Sequence, residues 1–95
     1  MLDSKDPAEI VPITFDFSEL VTSIDSIVQV TCADPSGTDA AATAMLDGSP
    51  VVAGQLVIQR IKNGIHNVNY TLRAEILSGS LKYALTDVLP VLKQG

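Results

Sequence analysis

The feature that most constrains this chain is the stretch from Val68 to Ile76, where Val68, Tyr70, Leu72, Ala74 and Ile76 alternate with Asn69, Thr71, Arg73 and Glu75. A period of two marks an extended strand with one face in a core and one in water, because successive side chains leave a pleated backbone on opposite sides. The same pattern recurs in Ile13-Thr14-Phe15-Asp16-Phe17 and in Ser26 to Ala33, where Val28, Val30 and Cys32 share one face and Gln29 and Thr31 the other. Gln55 to Ile61, rich in Val, Ile and Leu, reads as a further strand.

Turn chemistry punctuates these segments. Asp34-Pro35-Ser36-Gly37 and Asp47-Gly48-Ser49-Pro50 carry the residues of β-turns. Asn63-Gly64 either closes a hairpin or starts a crossover, since both residues tolerate positive φ. The alanine-rich piece Ala40 to Leu46 is read as a short strand bounded by turns. The final hairpin has a testable register. With Ser78-Gly79 as its two loop residues, Ile76 faces Leu81, Ala74 faces Tyr83 and Leu72 faces Leu85. The outer side then sets Glu75 against Lys82 and Thr71 against Thr86, pairs worth roughly 0.2 to 1 kcal/mol each.

Six or seven short strands, with no amphipathic helix to cover them, predict an all-β fold: an antiparallel β-sandwich of the immunoglobulin-like or fibronectin III-like type. Residues 1–12, polar and holding Pro7 and Pro12, form an extended N-terminal leader, and residues 13–95 form the sandwich domain.

Composition narrows the function. A chain of 95 residues, 46% apolar and 18% charged, is a single globular domain with no room for a cleft between lobes. Its net charge of −5, with six Lys and Arg in all, offers no basic stripe for a phosphate backbone and no attraction to an anionic membrane surface. No apolar run approaches the roughly 20 residues that span a bilayer. Met1 to Lys5 has no signal-peptide character, so synthesis in the cytoplasm is expected. The single cysteine, Cys32, excludes an internal disulfide.

Candidate chemistry is sparse. His66, the one histidine, has no acidic or Cys neighbour at ligand spacing and reads as a loop-edge residue. Cys32 shares the face of Val30 and reads as a small core residue. Asp34, Asp39 and Asp47 lie in turns, where side-chain to backbone hydrogen bonds justify them, and the regular spacing of a calcium loop is missing. Gly48, Gly54 and Gly64 fit no phosphate-binding motif and read as turn residues. No catalytic, cofactor-binding or metal-binding residue is therefore expected. Leu77 and the run Val88 to Leu92 carry more apolar surface than one strand face needs, and either fold over the sandwich end or dock a partner.

Lys5-Asp6-Pro7-Ala8-Glu9, then Asp16-Phe17-Ser18 with Leu20 and Asp25-Ser26-Ile27, then the Ser78-Gly79 hairpin resemble small tailed-bacteriophage proteins of the fibre-to-tail adaptor or structural kind. Phe17 stands where that family has Trp. The resemblance implies an immunoglobulin-like sandwich made in a host bacterial cytoplasm and located in the virion. It would have no catalytic residue or cofactor, and would contact other phage structural proteins or further copies of itself rather than nucleic acid or membrane. The alternative is a stand-alone module that recognises a carbohydrate, peptide or cell-surface ligand through end loops at Asp34 to Gly37 and Asp47 to Pro50.

Overall fold

The computed structural model describes residues 2–93. Among them six strands run in chain order: β1 (Val11–Asp16), β2 (Ser26–Ala33), β3 (Leu46–Ala53), β4 (Leu56–Ile61), β5 (Val68–Ser78) and β6 (Leu81–Val91). They form two three-stranded antiparallel sheets, β1-β4-β3 and β2-β5-β6. Alternation sorts the side chains. Ile13 and Phe15 of β1, Val57 and Ile61 of β4, Val30 and Cys32 of β2, the even residues of β5 up to Ile76, and Leu89 and Val91 of β6 join one buried cluster between the sheets. The fold is all-β and sandwich-like, held by this packing at about 1.5 to 3 kcal/mol per large apolar side chain.

The last hairpin departs from the expected register by two residues. Ile76 faces Tyr83, Glu75 faces Ala84 and Arg73 faces Thr86, so the tip is Gly79-Ser80. The reason lies in the backbone: the residue opening the turn has φ +62°, which glycine adopts freely and serine does not. An even shift leaves every side chain on its expected face. The Glu75–Lys82 pairing is lost, and Glu75 instead accepts a hydrogen bond from Gln29 Nε2 on β2.

Three other readings are corrected. The alanine run forms a 3₁₀ turn, Ala42–Met45, whose i, i+3 residues Ala42 and Met45 both face the core, and only Leu46 begins the strand. Asp47 to Pro50 lies within β3, where three residues span the place of one on β4 and make a bulge at positive-φ Gly48. Val28 is the extra residue of a second bulge, between Ile27 and Gln29, and this turns it outward to 41% exposure. Asn63-Gly64 opens the crossover from β4 to β5 in the opposite sheet.

The leader lies along β6. Its backbone makes a parallel bridge, Lys5 to Val91, with Leu2 N–H donating to Val88 O, Lys5 N–H to Pro90 O, and Leu92 N–H to Lys5 O. Asp6 to Glu9 then turn the chain, and pairing with β4 begins at Val11.

Candidate functional site

The residues able to do chemistry are dispersed. His66 is exposed in the turn before β5, and its Nδ1 accepts the Lys93 N–H at 2.9 Å. Cys32 is buried on β2, where desolvation, helped by the charge of Asp39, pushes its thiol up to about 11. Asp34 and Asp39 share a loop: Asp34 accepts from Ser36 and from the Asp39 N–H, while Asp39 Oδ1 accepts from Ala41 N–H. Those bonds hold the Asp34 carboxyl below its usual range. Asp47 is on the other sheet, in an ion pair with Arg60 at 2.8 Å. Among the described residues no three His, Cys, Asp or Glu side chains gather as a metal site would require. Of the two segments of the ligand-binding alternative, Asp34 to Gly37 is a turn and Asp47 to Pro50 lies within β3.

The polar groups that are brought together sit at the end of the sandwich where β5 starts. Tyr70, fully buried, donates from its hydroxyl to Asp39 Oδ2 at 2.7 Å and accepts the Ile65 N–H at 2.8 Å. Burial, then the bond to Asp39, pushes its phenol up to about 12. Nearby, Lys5 is 1% exposed, and its Nζ donates to Asn63 O at 2.7 Å and Asp6 O at 2.8 Å. Desolvation pulls its pKa below the usual lysine value against the charges of Glu9 and Asp6. Asn63, in the left-handed region at φ 58°, presents that carbonyl, and Gly64 beside it leaves no space for a side chain: a Cβ would lie 2.9 Å from Val91 Cγ2. In the sequence Tyr70 stands among the apolar residues of an alternating strand and Lys5 in a polar, extended leader. No local signal marks Lys5, whose partner lies 58 positions away, while for Tyr70 the signal is a hydroxyl on an inward position, which needs a partner.

The two outward faces differ. On β2-β5-β6, Gln29, Thr31, Arg73, Glu75 and Thr86 make a polar surface tied by Gln29–Glu75 and Arg73–Thr86 hydrogen bonds. On β1-β4-β3, Thr14, Ile58 and Val51 form one row across the sheet and Pro12, Arg60 and Asp47 the next. Pro12, Val51, Ile58, Arg60 and Asp47 line an open groove of about 520 Å³, with Val51 59% exposed. The run Val88 to Leu92 divides: Leu89 and Val91 enter the core, while the backbone of Val88, Pro90 and Leu92 receives the leader.

Compared with family models, curated proteins and solved structures, the chain matches none.

Proposed function

We propose that this chain is a non-catalytic, immunoglobulin-type structural or adaptor subunit of a tailed-phage virion, which works by contacting other structural proteins or further copies of itself. The strand order supports the fold type. An immunoglobulin sandwich sets strands A, B, E and D in one sheet and C, F and G in the other. Lettering β1 to β6 as B to G gives B-E-D and C-F-G. The Tyr70 hydroxyl, bonded to backbone five residues upstream near the start of the F-like strand, matches the tyrosine corner of that fold.

The observation that carries the assembly reading is the outer face of β1-β4-β3. Ile58 and Val51 side by side on an outer face, with Val51 59% exposed, make the kind of patch that partners cover. The edge of β1, which faces residues 2–5 across an open cavity, adds to it. Phe17 N–H bonds Gln55 O, so the odd residues of β1 turn to β4, and the even residues Pro12, Thr14 and Asp16 present their backbone outward. Pro12 has no N–H to offer there, which blunts this edge against indiscriminate pairing. The phage setting comes from the resemblance. Its motif residues serve architecture: Lys5 anchors the leader, Phe17 is fully buried, Asp16 accepts from Ser18 N–H, and Asp25 accepts from Gly79 N–H.

Mass photometry and sedimentation at micromolar concentration, with mass spectrometry of purified particles, test the reading. Association that Val51→Glu weakens several-fold, together with presence in particles, is expected. A strictly monomeric protein absent from particles would overturn it.

A further inference from the structure

We propose that the leader is an exchangeable strand: residues 2–5 of one copy dock on β6 and the Asn63 carbonyl of a second copy, linking subunits by trading a contact each first makes with itself. This deepens the assembly reading above and rests on it for the choice of a second copy as partner.

The receptor lies wholly in the body of the domain. Val88 O, Pro90 O and Leu92 N–H form the edge that the leader backbone pairs with, and Asn63 O takes the Lys5 ammonium. None of these groups travels with the leader, so the leader of another copy satisfies them equally well. The Lys5 bond to Asp6 O moves with the strand.

The strap's backbone ladder is also incomplete. A parallel ladder centred on the Lys5–Val91 bridge would continue with a donor from residue 90, and Pro90 has no N–H. The ladder is therefore interrupted one step beyond its anchor. Beneath the leader, between Leu2 to Lys5 and Val11 to Thr14, an open cavity of about 320 Å³ is left unfilled. What fixes the leader is the buried Lys5 side chain together with Leu2, which packs against the core.

The connecting turn closes on itself. Asp6 N–H donates to Glu9 Oε1, Glu9 N–H to Asp6 O, and Ala8 N–H to Asp6 Oδ1. Such a unit moves with its hydrogen bonds intact, and Ile10, which follows it, is 60% exposed. Strand exchange across a hinge of this kind conserves the bonds and requires only that a second copy be near. A short tether gives the leader's own site an effective concentration in the millimolar range, so exchange grows as copies approach that density, as they do in an assembled particle.

The test uses full-length protein carrying Ser4→Cys in one population and Pro90→Cys, on a mass-tagged chain, in the other; Pro90→Cys supplies the missing N–H to the chain's own leader and to a second copy's leader alike, so it favours neither. The two positions flank the Lys5–Val91 bridge, and Cys32 is buried away from them. The populations are refolded together at about 10 μM and about 1 mM, then oxidised. The control mixes Ser4→Cys with Thr31→Cys, an exposed site on β2. Exchange predicts a mixed disulfide dimer several-fold above the control at the higher concentration, and a several-fold loss of it when Lys5→Ala is added to the Ser4→Cys chain. A mixed dimer no more abundant than the control, while a Ser4→Cys, Pro90→Cys double variant closes its own disulfide, would show a fixed strap and overturn the proposal. Should the double variant not close, sedimentation at about 1 mM decides. An oligomer abolished by Lys5→Ala supports exchange, and a monomer, or an oligomer indifferent to Lys5→Ala, overturns it. That last outcome leaves the assembly reading standing through another face, whereas a monomer absent from particles removes both.

Discussion

The two ends of the sandwich are tied by similar numbers of polar contacts, but in different media. Where β5 starts, the ties are buried: Lys5 to Asn63, Tyr70 to Asp39 and Ile65, and Gly64 pressed against Val91. Where β5 and β6 turn, they are exposed: Ser78 Oγ donates to Ser23 O and Gly79 N–H to Asp25 Oδ2, with Leu77 and Leu81 in solvent beside them. At the second end water can replace any partner that is lost. At the first the Lys5 and Tyr70 side chains are buried, so each tie there should cost more when broken.

The same substitution at both ends breaks or sharpens this contrast. Gly64→Ala places a Cβ 2.9 Å from Val91 Cγ2 at φ +106°, combining overpacking with backbone strain. A loss of roughly 3 kcal/mol or more in urea unfolding is expected. Next comes Tyr70→Phe, which leaves the Ile65 N–H without its acceptor and should cost about 1 to 3 kcal/mol.

Tyr70 also governs alkaline behaviour. The folded state holds the Cys32 thiol up to about 11 and the Tyr70 phenol up to about 12, while the unfolded chain releases both protons near their ordinary values, about 8.5 and 10. Above about pH 9 the unfolded state therefore binds fewer protons, and stability falls as pH rises through that window. Tyr70→Phe should flatten the upper part of the decline. Lys5 acts with the opposite sign: its lowered pKa means that the folded state loses its proton first, which favours folding as pH rises. Lys5→Met should cost about 1 kcal/mol at neutral pH through the lost bond to Asn63 O, and should steepen the alkaline decline in pH-resolved unfolding curves.

The hairpin end was the more legible in sequence, for the same physical reason. Alternation from Val68 to Ile76 states which side chains go inward whatever the partner strand, so the faces were readable even though the register was two residues off. The turn's position depended on a single backbone angle at Gly79, which composition does not reveal. Asp47 to Pro50 carries turn residues, yet β4 runs past it and Gln59, buried at 1% exposure, donates from Nε2 to Gly48 O, so the turn signal became a bulge inside a strand. Lys5 was the least legible. A lysine reads as solvated, and only Asn63, 58 positions away, supplies the carbonyl that makes its burial tolerable. The candidate surfaces are half visible: the apolar run at Val88 to Leu92 stands out in the sequence, but whether its edge is free depends on a leader whose pairing no local pattern announces.

At the exposed end the effects should shrink in turn. Gly79→Ala meets nothing within 4 Å, so only its φ of +62° is strained, and about 1 kcal/mol is expected. Ser78→Ala is the smallest and the most discriminating. It deletes a donor to Ser23 O over a contact open to solvent, where a water molecule takes the vacated place. Urea midpoints within about 0.5 kcal/mol of the parent are expected, as for other exposed substitutions. A cost above 1 kcal/mol would mean that the Ser23 carbonyl is shielded in solution, so that both ends depend on desolvated ties and the contrast between them disappears.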